Sequence, residues 1–316
     1  MILNAEPQRL GLLAPQTTPS TRQRELEAGL LVLRAAGSRE PFIVRRAAYE
    51  AGLLADSPAR RALVRATEAI GNGDRAGTRA GLVSYGAVLE RHGLHEDARA
   101  IYCGVLEVYG PDATVALHAG RAARKSGDRA EAMRLYGVAA NAARGDRALE
   151  LYAAIGRALV SNDALAELSA VVADARRERR WEAFAVAREE RARLHRQAGR
   201  PLSALRDYAA AGRRYSDPID RIRVLHAIAD VLSARGDLAG AREALLIAHE
   251  FGRGESRAYT LQRLRTVARA MNDQLELRRS RGQGLAAMVA LAPRGRAATR
   301  SASYAPRLRR LRNLIA

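Results

Sequence analysis

Three groups of residues in this 316-residue sequence could do chemistry. His92 and His95 flank a glycine and precede the single cysteine, Cys103, and two imidazoles with a thiolate could share a metal. No HExxH pair or second cysteine accompanies them, so a four-cysteine site is excluded. Cys103 follows Tyr102 and reads as a packing residue rather than a nucleophile. The adjacent carboxylates Glu189 and Glu190 form a second group, expected on a solvated helix face. The loop GNGDRAG at 71–77 lacks the GK[ST] ending and the preceding strand of a phosphate cradle, and no GxSxG elbow is present. The expectation is a protein that is not an enzyme, with no cofactor and no metal site.

The third group is the arginines. Fifty-three basic residues oppose 34 acidic ones, giving a net charge of +19, and Lys125 is the one lysine. A GC-rich coding sequence would explain arginine in place of lysine, but not the excess of base over acid. The guanidinium fork suits carboxylate and phosphate bidentately, so acidic partners are implied. The excess is uneven: no acid follows Glu276, and ten arginines lie in 277–316. Residues 293–316, with Arg294, Arg296, Arg300, Arg307, Arg309, Arg310 and Arg312, read as a basic tail that orders on a partner.

The elements that must carry these groups are helices. Hydrophobic residues make up 48% of the chain but aromatics only 4%, and alanine and leucine dominate without alternating runs. No stretch of 18 uninterrupted apolar residues predicts a membrane span. The N-terminus lacks the apolar core of a signal peptide, so a cytoplasmic location is expected, with organelle targeting left open by the acid-poor start.

One spacing recurs. Gly93, Gly127, Gly199 and Gly236 are separated by 34, 72 and 37 residues. The missing beat falls at Asp163, and steps of 36 reach Ser57 and Asn272 at the two ends. Seven residues before five successive turns stands a small residue: Gly86, Gly120, Gly156, Ala192 and Ala229. Five after a turn stands Ala62, Ala98, Ala132, Ala204 or Ala241, and nine after it Tyr102, Tyr136, Tyr208 or Leu245. Two helices per unit are predicted, with small residues where their backbones approach and the large residue packing over the next unit. Residues 21–36 predict a further N-terminal helix, while 1–19, with three prolines, reads as an irregular arm ahead of a repeat domain over 20–292.

This pattern resembles the tetratricopeptide repeat family over roughly residues 43–290. Gly120, Gly127, Ala132, Tyr136 and Ala139 fill all five signature positions of one repeat, and Ala192, Gly199, Ala204, Tyr208 and Ala211 those of another. Leu168 departs in the Asp163 unit, and Arg265 and Leu277 in the Asn272 unit, which puts the packing of the latter in doubt. The resemblance implies an all-α, right-handed α-solenoid of about seven antiparallel helix pairs plus a capping helix. It also turns His92 and His95 into turn and surface residues. Trp181 reads as the anchor of an irregular junction, or else as part of a binding surface.

In that family the first helix of each pair lines a concave groove. Carried over, the groove positions hold Arg91, Arg121, Arg124, Lys125, Arg157, Arg193, Arg196, Arg223 and Arg269 against Glu90, Glu150, Glu189 and Asp230, net basic by five. They hold no asparagine, so the family's chaperone-tail carboxylate clamp is not expected. The reading is a scaffold for protein–protein interaction, a subunit or assembly factor of a larger complex that takes acidic partners. One alternative is an RNA- or ribonucleoprotein-associated subunit gripping the phosphate backbone, in a salt-sensitive way. Sparse aromatics and the absence of a repeated base-reading pair weigh against sequence-specific binding. A peptide-sensing regulator is the second alternative.

Overall fold

The computed structural model describes residues 19–289, with side chains over 21–273. Residues 1–18 of the expected arm over 1–19 lie outside the described residues, as does the basic tail over 293–316, and Pro19 opens the first helix instead of ending an irregular arm. Among those residues every regular element is a helix. A single helix, α1 (Pro19–Ser38), comes first. Six pairs follow: α2 (Pro41–Leu53) with α3 (Pro58–Gly71), α4 (Arg75–Arg91) with α5 (His95–Tyr109), and α6 (Ala113–Ser126) with α7 (Arg129–Ala142). Then come α8 (Arg147–Ala158) with α9 (Ala164–Arg177), α10 (Trp181–Gln197) with α11 (Pro201–Gly212), and α12 (Pro218–Ala234) with α13 (Leu238–Phe251). The last helix is α14 (Gly254–Val289). The architecture is an all-α helical-repeat solenoid.

The turn between α6 and α7 shows how sequence makes a joint. Gly127 adopts φ 91°, a left-handed conformation open to glycine without penalty. Asp128 then accepts a hydrogen bond from the Glu131 amide at 3.0 Å and opens α7. Aspartates 74, 112, 146, 217 and 237 cap helices in the same way. At the first pair, Ser57 accepts from the Arg60 amide and Pro58 occupies the opening helical position.

A seventh turn, expected at Asn272, does not form: α14 runs unbroken for 36 residues. No glycine or proline stands there, and Asn272-Asp273 is followed by helix formers through Leu277. The three glycines seven before a turn also work differently from expectation. At Gly120 and Gly156 a Cβ would lie 2.8 and 2.4 Å from the Tyr136 ring, and at Gly86 it would lie 2.5 Å from that of Tyr102. These glycines make room for a tyrosine ring rather than for a neighbouring backbone. Tyr136 therefore fills space in its own pair and in the next at once.

Contacts divide the chain into two units after Val171, within α9. In the first, a continuous core runs from Ala28 and Val32 of α1 through Leu82, Ile101 and Tyr102 to Leu135 and Val160. Helix α1 closes its end: the Tyr85 hydroxyl donates to the Glu25 carbonyl at 2.8 Å, and Arg22 pairs with Asp97. The second unit stacks α10 to α14, with Tyr208, Tyr215, Val224 and Leu245 almost completely buried.

Candidate partner-binding surface

Helix caps and bridges between pairs consume many of the chain's acids. The bridges recur at about one repeat's separation. Arg79 pairs with Asp112, Arg99 with Asp128 and Arg263 with Asp230. Arg75 donates to the Val108 carbonyl, and Arg129 to the Val160 carbonyl and the Asn162 side chain. A guanidinium can hold two acceptors on a neighbouring element.

Two of these bridges are buried and share one design. In the first unit, Glu90 of α4 is 7% exposed. It accepts from Arg121 Nε of α6 at 2.9 Å and from the Tyr102 hydroxyl of α5 at 3.1 Å. His118 Nδ1 lies 3.5 Å from the same carboxylate. Burial alone would raise the Glu90 pKa; the His118 and Arg121 contacts overcome it and hold the carboxyl at about 2. Burial pushes His118 itself down, toward the neutral imidazole.

In the second unit Glu189 of α10 is 2% exposed. It accepts from Arg193 at 2.6 Å, from Arg223 of α12 at 2.7 and 2.9 Å, and from the Tyr215 hydroxyl at 2.6 Å. Burial opposes its ionisation, but the Arg193 and Arg223 charges hold it at about 2. Arg193 also pairs with Glu190, and Arg223 with Asp220. The expectation of a solvated Glu189–Glu190 face is thus corrected: both carboxylates are buried, because two guanidiniums and a phenol replace water around Glu189 and Arg193 pairs with Glu190. Nearby, Arg188 and Arg191 converge on buried Asp207.

The expected groove residues therefore separate into two classes. Arg121, Arg193 and Arg223 are committed to internal carboxylates. Arg91 and Arg157 are exposed, Arg124, Lys125 and Arg196 are half-buried, and Arg269 is exposed. Arg91 donates to the Ala87 carbonyl of its own helix. Among the described residues no carboxylate pairs with Arg91, Arg124, Arg157 or Arg196.

In the first unit Arg91 ends α4, Arg124 and Lys125 stand in the last turn of α6, and His95 opens α5. Burial lowers the pKa of His95, and the Lys125, Arg121 and Arg124 charges lower it further, with Glu90 opposing them. Glu90 is already occupied by Arg121. Two nitrogens here are shielded from solvent without a hydrogen-bond partner, Arg124 Nε and His95 Nδ1.

The other sequence candidates carry less. His92 is exposed and Cys103 half-buried, with the thiol pKa raised by burial. No group of three metal-ligating side chains occurs among the described residues. Trp181 opens α10, stacks edge-on with Phe184 at 6.0 Å and carries the Arg214 guanidinium 3.9 Å over its ring. The basic-tail arginines lie outside the described residues. No helix among the described residues is long and apolar enough to cross a membrane.

No family model matches the chain, and no curated protein matches it. Among solved structures it is similar to Naa15/Naa10 bound to HypK-THB, at 16% identity and a TM-score of 0.28, over 79% of this chain and 36% of that chain. This chain thus spans little more than a third of that relative's length.

Proposed function

We propose that this chain is a non-enzymatic, tetratricopeptide-like scaffold that mediates protein–protein interaction as a subunit or assembly factor of a larger complex. Its first unit holds an acidic segment of a partner protein at the cation cluster of α4, α5 and α6. The observation that carries this reading is the asymmetry of pairing. The acids at groove positions are engaged by arginines, while Arg91 and Arg124 keep no carboxylate of their own among the described residues, and the Arg124 charge helps hold His95 toward its neutral form. Such a surface favours an anionic partner and steers its approach.

The basic sequence after Glu276 supports one competing reading, attachment to an RNA backbone. Copurification separates the two, using the full chain and a version ending at Ala292, each with and without nuclease. The scaffold reading expects the same protein partners in all four samples, and their loss when Arg124 and Lys125 are both changed to glutamine. Recovery of RNA that disappears with the tail, with no nuclease-resistant protein, would replace it with the RNA reading.

A further inference from the structure

The second unit contains a cavity that the groove reading does not use. Its volume is about 250 Å³, and it opens where α11 ends, beside the first half of α12 and the end of α13. Val224, Leu225 and Ile228 form an apolar wall, Phe251 borders it while remaining 36% exposed, and Arg213 and Arg221 supply its charge. Its lining includes no carboxylate. Arg221 is held in place: its Nε donates to the Tyr215 carbonyl at 2.6 Å, and its guanidinium lies 5.7 Å from the centre of the Phe251 ring. Among the described residues it has no acidic partner.

Helical geometry separates this cavity from the groove positions. At about 100° per residue, Arg221, Val224, Leu225 and Ile228 share one face of α12, while Arg223 and Asp230 lie about half a turn round it. Size also selects the ligand. Clefts that enclose drug-sized molecules run from roughly 300 to 1,000 Å³, so this one suits a side chain rather than a cofactor.

We propose that the cavity is a second docking site, for a partner segment in which a bulky aliphatic or aromatic residue stands next to an acidic one. The apolar side chain packs on the exposed Phe251 ring, over the buried floor of Val224, Leu225 and Ile228, and displaces water from that ring. The neighbouring carboxylate pairs with the Arg221 guanidinium, which the Tyr215 carbonyl already orients. Charge complementarity and an apolar wall on one small site select this sequence pairing over either feature alone. The site is independent of the α4–α6 surface and stands whether or not that surface binds an acidic segment.

Calorimetric titration of the full chain with three blocked pentapeptides tests the assignment: leucine between two glutamates, serine between two glutamates, and leucine between two lysines. The first is expected to bind about tenfold or more tightly than either of the others, the scale of one charge-assisted contact or one buried side chain. Arg221→Gln should weaken it by a similar factor. Gly212→Leu should block the cavity, since a Cβ there would sit an ordinary 3.5 Å from Val224 Cγ1. Far-ultraviolet circular dichroism confirms that both variants remain folded. All titrations use the Arg124→Gln, Lys125→Gln background, so that the α4–α6 surface, which also takes glutamate, does not contribute. Equal binding of the leucine and serine peptides, no binding of any peptide, or insensitivity to both cavity variants would overturn the proposal. So would a response to octanoate in place of the peptides.

Discussion

Arg223→Met is expected to destabilise the second unit by about 3–5 kcal/mol, the cost of leaving a buried carboxylate without its partner. Glu189 is the carboxylate in question, 2% exposed and bound by Arg193, Arg223 and Tyr215. Denaturant unfolding followed by hydrogen exchange of the α10–α12 amides reads the loss. Replacing the pair together, Glu189→Leu with Arg223→Met, should recover most of it, because the desolvation penalty of both charges disappears. A cost confined to a few tenths of a kcal/mol would mean that the cluster is solvated.

The same cluster sets a pH dependence. The Glu189 carboxyl titrates at about 2 in the folded chain against an ordinary 4.5. Its folded pKa is depressed, so its contribution is fully present above about 4.5 and disappears as the pH falls toward 2. Glu90 behaves alike in the first unit. Removing Arg223 raises the Glu189 pKa, so acid unfolding of the second unit should move to higher pH. The first unit, which keeps Arg121, should be unchanged.

Tyr136→Ala is expected to cost the first unit about 3–5 kcal/mol, the range for deleting a buried aromatic ring. The ring is 3% exposed and occupies the space left by two glycines one repeat apart, Gly120 and Gly156. Gly156→Ala on the wild-type background should also destabilise, by about 1–3 kcal/mol, because its Cβ would sit 2.4 Å from the ring. Together the two changes should cost less than their sum, since each relieves the other. Strict additivity in thermal or denaturant unfolding would show that the ring does not bridge the two pairs.

The pairs were legible because turns and caps act over a few residues. Gly127 and Asp128 announce a joint by their own conformational and hydrogen-bonding preferences, and alanines five on mark the buried face. The expected turn at Asn272 failed on the same local grounds, since nothing there ends a helix. The tyrosine-over-glycine contact was half-legible: the spacing identified the residues, but not that the ring rather than a backbone fills the gap.

The site was less legible because charge pairing is a tertiary property. Arg121, Arg193 and Arg223 resemble Arg91 and Arg124 in sequence, and nothing local distinguishes a guanidinium that faces a buried carboxylate. Glu189–Glu190 read as solvated because the Tyr215 and Arg223 partners stand 26 and 34 residues away. One signal was available. Glutamate, tyrosine and arginine recur as Glu90, Tyr102, Arg121 and as Glu189, Tyr215, Arg223, with glutamate and arginine about one repeat apart. Arginine positions taken together with acids one period back would have exposed the bridges.

In the proposed function the cations at the ends of α4 and α6 act as a receptor for acid. The most direct test is fluorescence anisotropy of a labelled, glutamate-rich peptide titrated with the full chain at low and at physiological salt. Binding should weaken with salt, and Arg124→Gln with Lys125→Gln should weaken it by about tenfold or more. Arg269→Gln, on α14, should leave it unchanged. Equal affinity for the wild type and the α6 double variant would contradict the account.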